Sequence, residues 1–280
     1  MPPRLAPAGA RRGGATPVRR PKQTIMSSIK ALIFDVDGTL ADTERDGHRP
    51  AFNRSFADAG LDWEWTPALY GELLAVTGGK ERIAHYIQRH RPDFKPAEGA
   101  LEDFIAGLHR NKTRHYLELL GQGEIPLRPG VERLLREARD TGMTLAIATT
   151  TTPENVTGLL RSTLGDESVG WFGVIAAGDV VPAKKPAPDI FTHALSQLGL
   201  AADDCLAIED SENGLLAARG AGLRTLVTVN DYTRDHDFDG ACAVLDHLGD
   251  AHNPCRVLHG GCAGLAPMVT LPALRGCLDR

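Results

Sequence analysis

The chain has 280 residues, of which 42% are hydrophobic and 24% are charged, as is ordinary for a globular enzyme. Positions 1–26 carry six basic residues and no acid, so the net charge of −5 leaves −11 for the rest of the chain. A body this acidic argues against a nucleic-acid partner. No apolar run approaches the roughly 18 residues that a membrane span needs, so we expect no membrane partner either.

Residues 1–27 are rich in Pro, Gly, Ala and Arg, and we expect a disordered or targeting tail. Prolines prevent a continuous helix there, and the apolar surface is too small to fold. The segment lacks the apolar stretch of a secretory signal. One interpretation is upstream sequence before a true start at Met26, which predicts a cytoplasmic protein. The alternative is a transit peptide, which predicts the plastid stroma.

The cysteines are five in number and have no C-x-x-C spacing, which argues against a zinc site and against a disulfide framework. We therefore expect free thiols. Three of them, Cys255, Cys262 and Cys277, fall in residues 251–280, where no clear periodicity is seen. We expect this segment to be a peripheral tail.

Short apolar runs alternate with helical patterns between residues 121 and 250. The runs predict buried strands, together with residues 29–34, and they cover residues 143–150, 171–178, 205–210 and 224–229. The segments between them have apolar residues three or four apart and Gly near their ends, which is typical of helices. This alternation predicts an α/β fold with a doubly wound parallel sheet.

Residues 44–120 contain no strand-like run and show only helical patterns. Because they are inserted after the first strand, they predict a small helical cap domain over the strand ends, where open α/β sheets bind ligands. The α/β core then comprises residues 28–43 and 121–250.

Two carboxylates, Asp35 and Asp37, directly follow the first strand in the stretch KALIFDVDGTLADTE. Other polar residues follow three further strands, namely Thr149, Thr150, Lys185, Glu209 and Asp210. Carboxylates gathered at one sheet edge imply a hard divalent cation, most simply Mg²⁺, which usually works with a phosphate. The lysine and the threonines then suit an anionic phosphoryl group.

Two aspartates in such a site can take unequal roles. One can attack phosphorus to form an aspartyl phosphate, while the other protonates the leaving alkoxide and later deprotonates water. An EF-hand calcium loop is a weak alternative, because Gly38 comes too early for that pattern. Lys184, next to Lys185, is expected to be an ordinary surface residue.

Four stretches in order, DVDGTL, the threonine after LAIA, KKPAPDIF and AIEDSENGLLAARGAG, resemble the motifs of the haloacid dehalogenase superfamily. The resemblance implies a role for seven residues. Asp35 is the nucleophile and Asp37 the acid/base, and the phosphate is bound by Thr149, Thr150 and Lys185. The Mg²⁺ ligands are Asp210, Glu209, Asp35 and the backbone carbonyl of Asp37. The second aspartate argues for phosphoryl transfer rather than carbon–halogen hydrolysis.

The cap sequence VTGGKERI places Gly78 and Gly79 before Lys80 and Arg82 at a helix start, which suits a second anion. Glu44 and His48 lie one helical turn apart and could bind sugar hydroxyls. An ordinary charged helix surface is the alternative for both groups. We expect all six residues to contact substrate.

The resemblance narrows to the CbbY family through six stretches, namely DTERDGHR, LYGELLAVTGGKERI, FIAGLHRNKT, PLRPGV, AGDVVPAKKP and DYTRDHDF. Its members are sugar-bisphosphate phosphatases associated with carbon fixation. The resemblance implies removal of the phosphate at carbon 1 of xylulose-1,5-bisphosphate. Alternatives are a phosphomutase of the β-phosphoglucomutase type, a phosphoglycolate phosphatase and, from another class, a non-catalytic sugar-phosphate sensor. We expect a monomer.

Overall fold

The computed structural model describes residues 1, 29–261 and 264–276 of the chain. Apart from Met1, the expected N-terminal tail over residues 1–27 lies outside the described residues, as do Cys262 and Cys277. Within the described residues, seven strands form one sheet in the order β3-β2-β1-β4-β5-β6-β7. The strands are β1 (Ala31–Phe34), β2 (Thr144–Ala148), β3 (Phe172–Ala176), β4 (Cys205–Glu209), β5 (Arg224–Thr228), β6 (Ala243–Leu245) and β7 (Val257–Gly260).

Helices of the α type cover the sheet and build the inserted segment. They are α1 (Arg49–Asp58), α2 (Pro67–Leu73), α3 (Gly79–His90), α4 (Leu101–Gly121), α5 (Val131–Asp140), α6 (Pro153–Leu164), α7 (Asp189–Leu198), α8 (Glu212–Gly220) and α9 (Leu271–Arg275). A π-helical turn, Glu44–His48, precedes α1, and 3-10 turns occupy Asp166–Trp171 and Ala202–Asp204.

The predicted fold class is confirmed. All neighbouring strands pair in parallel except β6 and β7, which pair antiparallel. Strand β1 lies between β2 and β4, and each of its four residues is fully buried. A strand covered by helices on both faces needs apolar residues on both sides, which is why ALIF is a continuous apolar run.

Local sequence signals explain where several helices begin. The hydroxyl of Thr152 accepts a hydrogen bond from the Asn155 amide at the start of α6, and Pro153 takes the first helical position. Ser211 caps α8 in the same way by accepting from the Gly214 amide. The two caps lie four residues after the end of β2 and two residues after the end of β4, so they fix the turns that carry the polar residues of the sheet edge.

The inserted helices α1 to α4 surround an aromatic cluster of their own, separate from the apolar clusters on the two sheet faces. Its largest members are Phe52, Phe56, Trp63, Trp65 and Tyr70. Trp65 packs on Phe52 and Phe56 with ring centroids 4.6 and 5.0 Å apart. The inserted segment therefore has its own apolar core.

Residues after 250 are less peripheral than we expected. Strand β7 extends the sheet, and the side chains of Leu271 and Leu274 in α9 are buried in the main core. The Leu271 amide donates to Glu137 of α5 at 3.0 Å. Sequence periodicity missed this packing because the buried residues are spread over short elements joined by turns.

Two further observations concern the described residues. Cys205, Cys242 and Cys255 are free thiols, as the sequence led us to expect. No helix in this part of the chain is long and apolar enough to cross a bilayer.

Leu274→Ala should lower the free energy of unfolding by about 2–5 kcal/mol, because it leaves a cavity in the core. Leu258→Ala is the matched control, since this leucine of β7 is 41% exposed and should change stability by no more than about 0.5 kcal/mol. Urea denaturation measures both values. Equal effects would show that α9 does not contribute to the core.

Candidate active site

The site lies at the carboxyl end of the central strands. Backbone pairing continues beyond β1, because the Asp35 amide donates to the Ile208 carbonyl of β4 at 3.0 Å. On the other side, the Thr149 amide donates to Ala176 of β3 at 2.9 Å. The sheet thus places Asp35 between the polar ends of β2 and β4, as the sequence predicts.

The Lys185 ammonium group bridges the strand ends. Its Nζ lies 2.7 Å from Asp35 Oδ1, 2.5 Å from Glu209 Oε1 and 3.0 Å from the Ala148 carbonyl oxygen. Three acceptors match the three hydrogens of the ammonium. Burial alone would lower the pKa of Lys185, but the charges of Asp35 and Glu209 outweigh it and raise the pKa.

Glu209 holds the Lys185 ammonium in place through an ion pair. Its side chain is fully buried, and its second oxygen accepts from the Asp210 amide at 3.1 Å. Helix α8 can approach this carboxylate because Gly214 has no side chain, and an added Cβ there would overlap Glu209. We expected Glu209 to be a metal ligand, whereas in the structure its two oxygens contact Lys185 and a backbone amide.

The donor set fits a hard divalent cation. Carboxylate oxygens of Asp35, Glu209 and Asp210 lie within 4.8 Å of one another, and no other such group is found in the part of the chain that the structure describes. Burial raises the pKa of Asp35 to about 7, even though Lys185 opposes the shift. Burial, Glu209 and Asp35 raise the pKa of Asp210. A cation bound between Asp35 and Asp210 would relieve this repulsion, and oxygen ligands suit Mg²⁺.

Asp37 has different surroundings. Its Oδ1 accepts from the Thr43 hydroxyl at 2.6 Å and lies 2.9 Å from His48 Nε2. Burial alone would raise the pKa of Asp37, but its interaction with His48 and the hydrogen bond from Thr43 lower it. The two aspartates of one loop therefore have pKa values shifted in opposite directions.

His48 is held from its other side by Lys112 of α4, whose Nζ lies 2.8 Å from His48 Nδ1. An ammonium only donates, so Nδ1 accepts and the Nε2 hydrogen points to Asp37. Burial lowers the pKa of Lys112 to about 8. We expected His48 to bind a sugar hydroxyl, but both of its ring nitrogens contact Asp37 or Lys112.

Glu44 and Arg82 face each other across the cap. The Tyr70 hydroxyl hydrogen-bonds to Glu44, and it accepts from Arg82 Nη1 at 3.0 Å. The Arg82 side chain is 8% exposed and lies 3.8 Å from the Glu44 carboxylate. Both residues border the clefts described next, where the sequence predicts substrate contacts.

Two connected clefts open between cap and core. The inner cleft, of about 240 Å³, is lined by Asp35, Asp37, Lys185 and Asp210 together with Thr149. The outer cleft, of about 570 Å³, is lined by the expected substrate contacts Gly78, Gly79 and Lys80 and by His48, His109, Lys112 and Lys184. Both clefts are lined by Asp37, Glu44, Arg82 and Thr150.

The outer cleft is rich in cationic groups. Lys80 of the cap and Lys184 of the core both bind the Asp179 carboxylate, at 2.7 and 2.8 Å. Lys184 also lies 3.4 Å from Glu81 of the cap, and its side chain is only 17% exposed. We expected Lys184 to be an ordinary surface residue, and the structure corrects this expectation because it lines the cleft.

Sequence reasoning missed Thr43, Lys112 and Asn230. Asn230 follows β5, and its side-chain amide donates to Asp210 at 2.7 Å. Because Asn230 follows a predicted strand, the sequence could have placed it at the same sheet edge as the other site residues. Lys112 lies in the middle of the long α4, in the stretch FIAGLHRNKT that resembles the CbbY family, but helical periodicity gave this lysine no role.

Three comparisons with known proteins show what this chain is similar to. The family model for haloacid dehalogenase-like hydrolases matches residues 29–222. Protein CbbY from Cupriavidus necator is 52% identical over 81% of this chain and 88% of that protein. A variant of CbbY from Rhodobacter sphaeroides, solved with xylulose-(1,5)bisphosphate, is 48% identical over 78% of this chain and 94% of that chain, with a TM-score of 0.73. The solved structure of a protein described as a β-phosphoglucomutase from Thermotoga maritima is 28% identical over 77% of this chain and 93% of its own, with a TM-score of 0.56.

Lys185→Met should lower the free energy of unfolding by about 3–5 kcal/mol, because Glu209 would keep a buried charge without its partner. Lys184→Met is the matched control, and the loss of its more exposed ion pairs should cost at most about 1 kcal/mol. Urea denaturation at pH 7 measures both. Comparable losses in the two variants would contradict the bridging role of Lys185.

Proposed function

This chain is a phosphatase of the haloacid dehalogenase-like hydrolase family and is similar throughout its core to CbbY proteins, and we propose that it is Mg²⁺-dependent and acts on a small sugar bisphosphate. The family resemblance that the sequence motifs indicate is thereby confirmed. The favoured substrate is xylulose-1,5-bisphosphate, which would yield xylulose 5-phosphate.

One observation carries the catalytic part of the proposal. The Asp35 carboxylate lies at the end of the central strand, lines the inner cleft and contacts the Lys185 ammonium at 2.7 Å. A carboxylate between an ammonium and a cation site can approach a phosphoryl group without strong charge repulsion. Asp35 and Asp210 would hold Mg²⁺ together with the Asp37 backbone carbonyl, and the ion would supply positive charge to the phosphoryl oxygens.

The side chains then divide the reaction between them. Asp35 attacks phosphorus, the bond from phosphorus to the sugar oxygen breaks, and an aspartyl phosphate forms. Asp37 gives its proton to the departing sugar oxygen and afterwards accepts one from the attacking water. That water breaks the bond between phosphorus and Asp35, which releases phosphate and restores the carboxylate.

His48 and Thr43 keep Asp37 oriented for these transfers. Because the two hydrogen bonds stabilise the Asp37 carboxylate, the substrate-free protein favours its ionised form. Before the first transfer Asp37 must take up a proton, and Lys112 and His48 form a chain of hydrogen-bonding groups that reaches it from the cap. Thr149 and Thr150 line the inner cleft where the transferring phosphate would lie.

The outer cleft supports a second anionic group on the substrate. Lys80 and Lys184 already bind one carboxylate, that of Asp179, and a phosphate would offer them more negative charge. A bisphosphate that reaches from the inner to the outer cleft would use both sites. The CbbY variant solved with xylulose-(1,5)bisphosphate adds support for this substrate.

Release of inorganic phosphate from a panel of sugar mono- and bisphosphates tests the proposal. We expect the highest kcat/KM for xylulose-1,5-bisphosphate, a loss of activity in EDTA and its recovery with excess Mg²⁺.

Asp35→Asn should lower kcat by about 10³-fold or more, because the nucleophile is removed. Turnover that persists in Asp35→Asn would contradict the assignment. Conversion of β-glucose 1-phosphate to glucose 6-phosphate without phosphate release would favour a mutase, and preference for phosphoglycolate would favour that phosphatase.

Lys80→Met and Lys184→Met should each raise KM for the bisphosphate by about 10-fold, since each removes a charged contact of about 1.5 kcal/mol. KM for a monophosphate of the same sugar should change less than threefold. Lys30→Met is the matched control, because Lys30 also pairs with a carboxylate, Asp204 at 2.8 Å, but lies before β1. Equal effects on the two substrates would show that the outer cleft does not bind the second phosphate.

A further inference from the structure

Arg128, in the loop before α5, is a buried cation that binds backbone carbonyls from three separate segments. Its Nη1 donates to Gly38 and, at 2.9 Å, to Thr228. Its Nη2 donates to Val229 at 2.5 Å and to Asp246 at 2.8 Å. The Arg128 side chain is 6% exposed. The planar fork of donors is what allows one side chain to serve four carbonyls, and a lysine could not reproduce it.

Arg128 binds the loop that follows β1 through both its backbone amide and its guanidinium group. The Arg128 amide donates to the Leu40 carbonyl at 2.8 Å, while the guanidinium binds Gly38 two residues earlier. Gly38 directly follows the acid/base Asp37. The same guanidinium also fixes the last residue of β5, Thr228, and its successor Val229. Arg128 therefore ties the loop of the first motif to the end of β5.

Asn230 continues this connection into the metal site. Its side-chain nitrogen lies 2.7 Å from Asp210 Oδ2 and 3.4 Å from the Gly38 carbonyl oxygen. Its side-chain oxygen accepts from the Tyr232 amide at 2.9 Å, which fixes the orientation of the side-chain amide. The Asn230 side chain therefore presents a donor, and not an acceptor, to Asp210.

Gly38 permits the close packing of these groups. Its backbone φ of +85° is unfavourable for other residues, and an added Cβ would lie 2.5 Å from both Asn230 Nδ2 and Asp210 Oδ2. The Asp210 carboxylate is thus confined between the first-motif loop and Asn230. A carboxylate whose rotation is restricted in this way directs its free oxygen to one position, where it can bind the metal ion.

We propose that Asn230 and Arg128 are positioning residues for the metal site. Asn230 orients the Asp210 carboxylate, and Arg128 holds in place both the backbone beside Asp37 and the end of β5, which Asn230 follows. This inference rests on the Mg²⁺ site of the proposed function. Asn230 lines the inner cleft beside Asp210, whereas Arg128 lines neither cleft.

Calorimetric titration of the substrate-free protein with MgCl₂ is the direct test. Asn230→Ala should weaken Mg²⁺ binding by about 10- to 100-fold, as is common when the hydrogen-bond partner of a metal ligand is removed. Arg128→Lys should also weaken Mg²⁺ binding. Because Arg128 acts partly through Asn230, the double variant should lose less than the product of the two single effects.

Arg133→Lys is the matched control. Arg133 also donates to backbone carbonyls, at 3.2 Å to Gly249 and in addition to Val269, but those residues do not line the two clefts. Its variant should bind Mg²⁺ as the wild type does, even if its melting temperature falls. Melting curves without Mg²⁺ establish that each variant is folded, and Asn230→Ala keeps the test decisive should Arg128→Lys unfold.

Kinetic constants supply the second readout. In Asn230→Ala the Mg²⁺ concentration for half-maximal activity should rise in parallel with the binding constant, while KM for the sugar phosphate at saturating Mg²⁺ stays within threefold. A folded Asn230→Ala with wild-type Mg²⁺ affinity would overturn the inference. The proposed function has its own test, since it fails if the wild type releases no phosphate from any sugar phosphate.

Discussion

The ammonium of Lys185 is the interaction on which the rest of the site depends. Without it, Asp35 and Glu209 would be two buried carboxylates that repel each other with no positive partner between them. With it, the ion pair to Glu209 fixes the position of the lysine, and Asp35 lines the inner cleft. The sheet makes this possible, because parallel strands bring their carboxyl ends to one edge.

The two aspartates of the first motif show how one loop can serve two chemical roles. Asp35 has a raised pKa because it is buried and lies near other carboxylates, whereas Asp37 binds His48 and Thr43 and has a lowered pKa. Opposite environments for neighbouring acids are a general way to separate a nucleophile from a proton carrier. Since His48 and Lys112 belong to the inserted segment, the proton-carrying acid depends on the cap and the nucleophile on the core.

Much of the site followed from the sequence, because residues after buried strands must meet at one sheet edge. That rule located Asp35 and Lys185 without any knowledge of side-chain contacts. It did not distinguish Glu209, whose role depends on which partner its oxygens reach. The role of Arg128 was missed for another reason. PLRPGV, which contains it, resembles the CbbY family, but a side chain that binds backbone carbonyls needs no particular partner residue that the sequence could show. Strand β6 was missed because three residues are too few for periodicity.

A crystal structure with Mg²⁺ and beryllium fluoride, which imitates a phosphoryl group on a carboxylate, tests the central claim most directly. The account predicts the fluoride adduct on the Asp35 carboxylate, with the ion bound by Asp35 and Asp210 and with Lys185 beside the adduct. An adduct on another side chain, or a metal ion bound away from these two carboxylates, would contradict it.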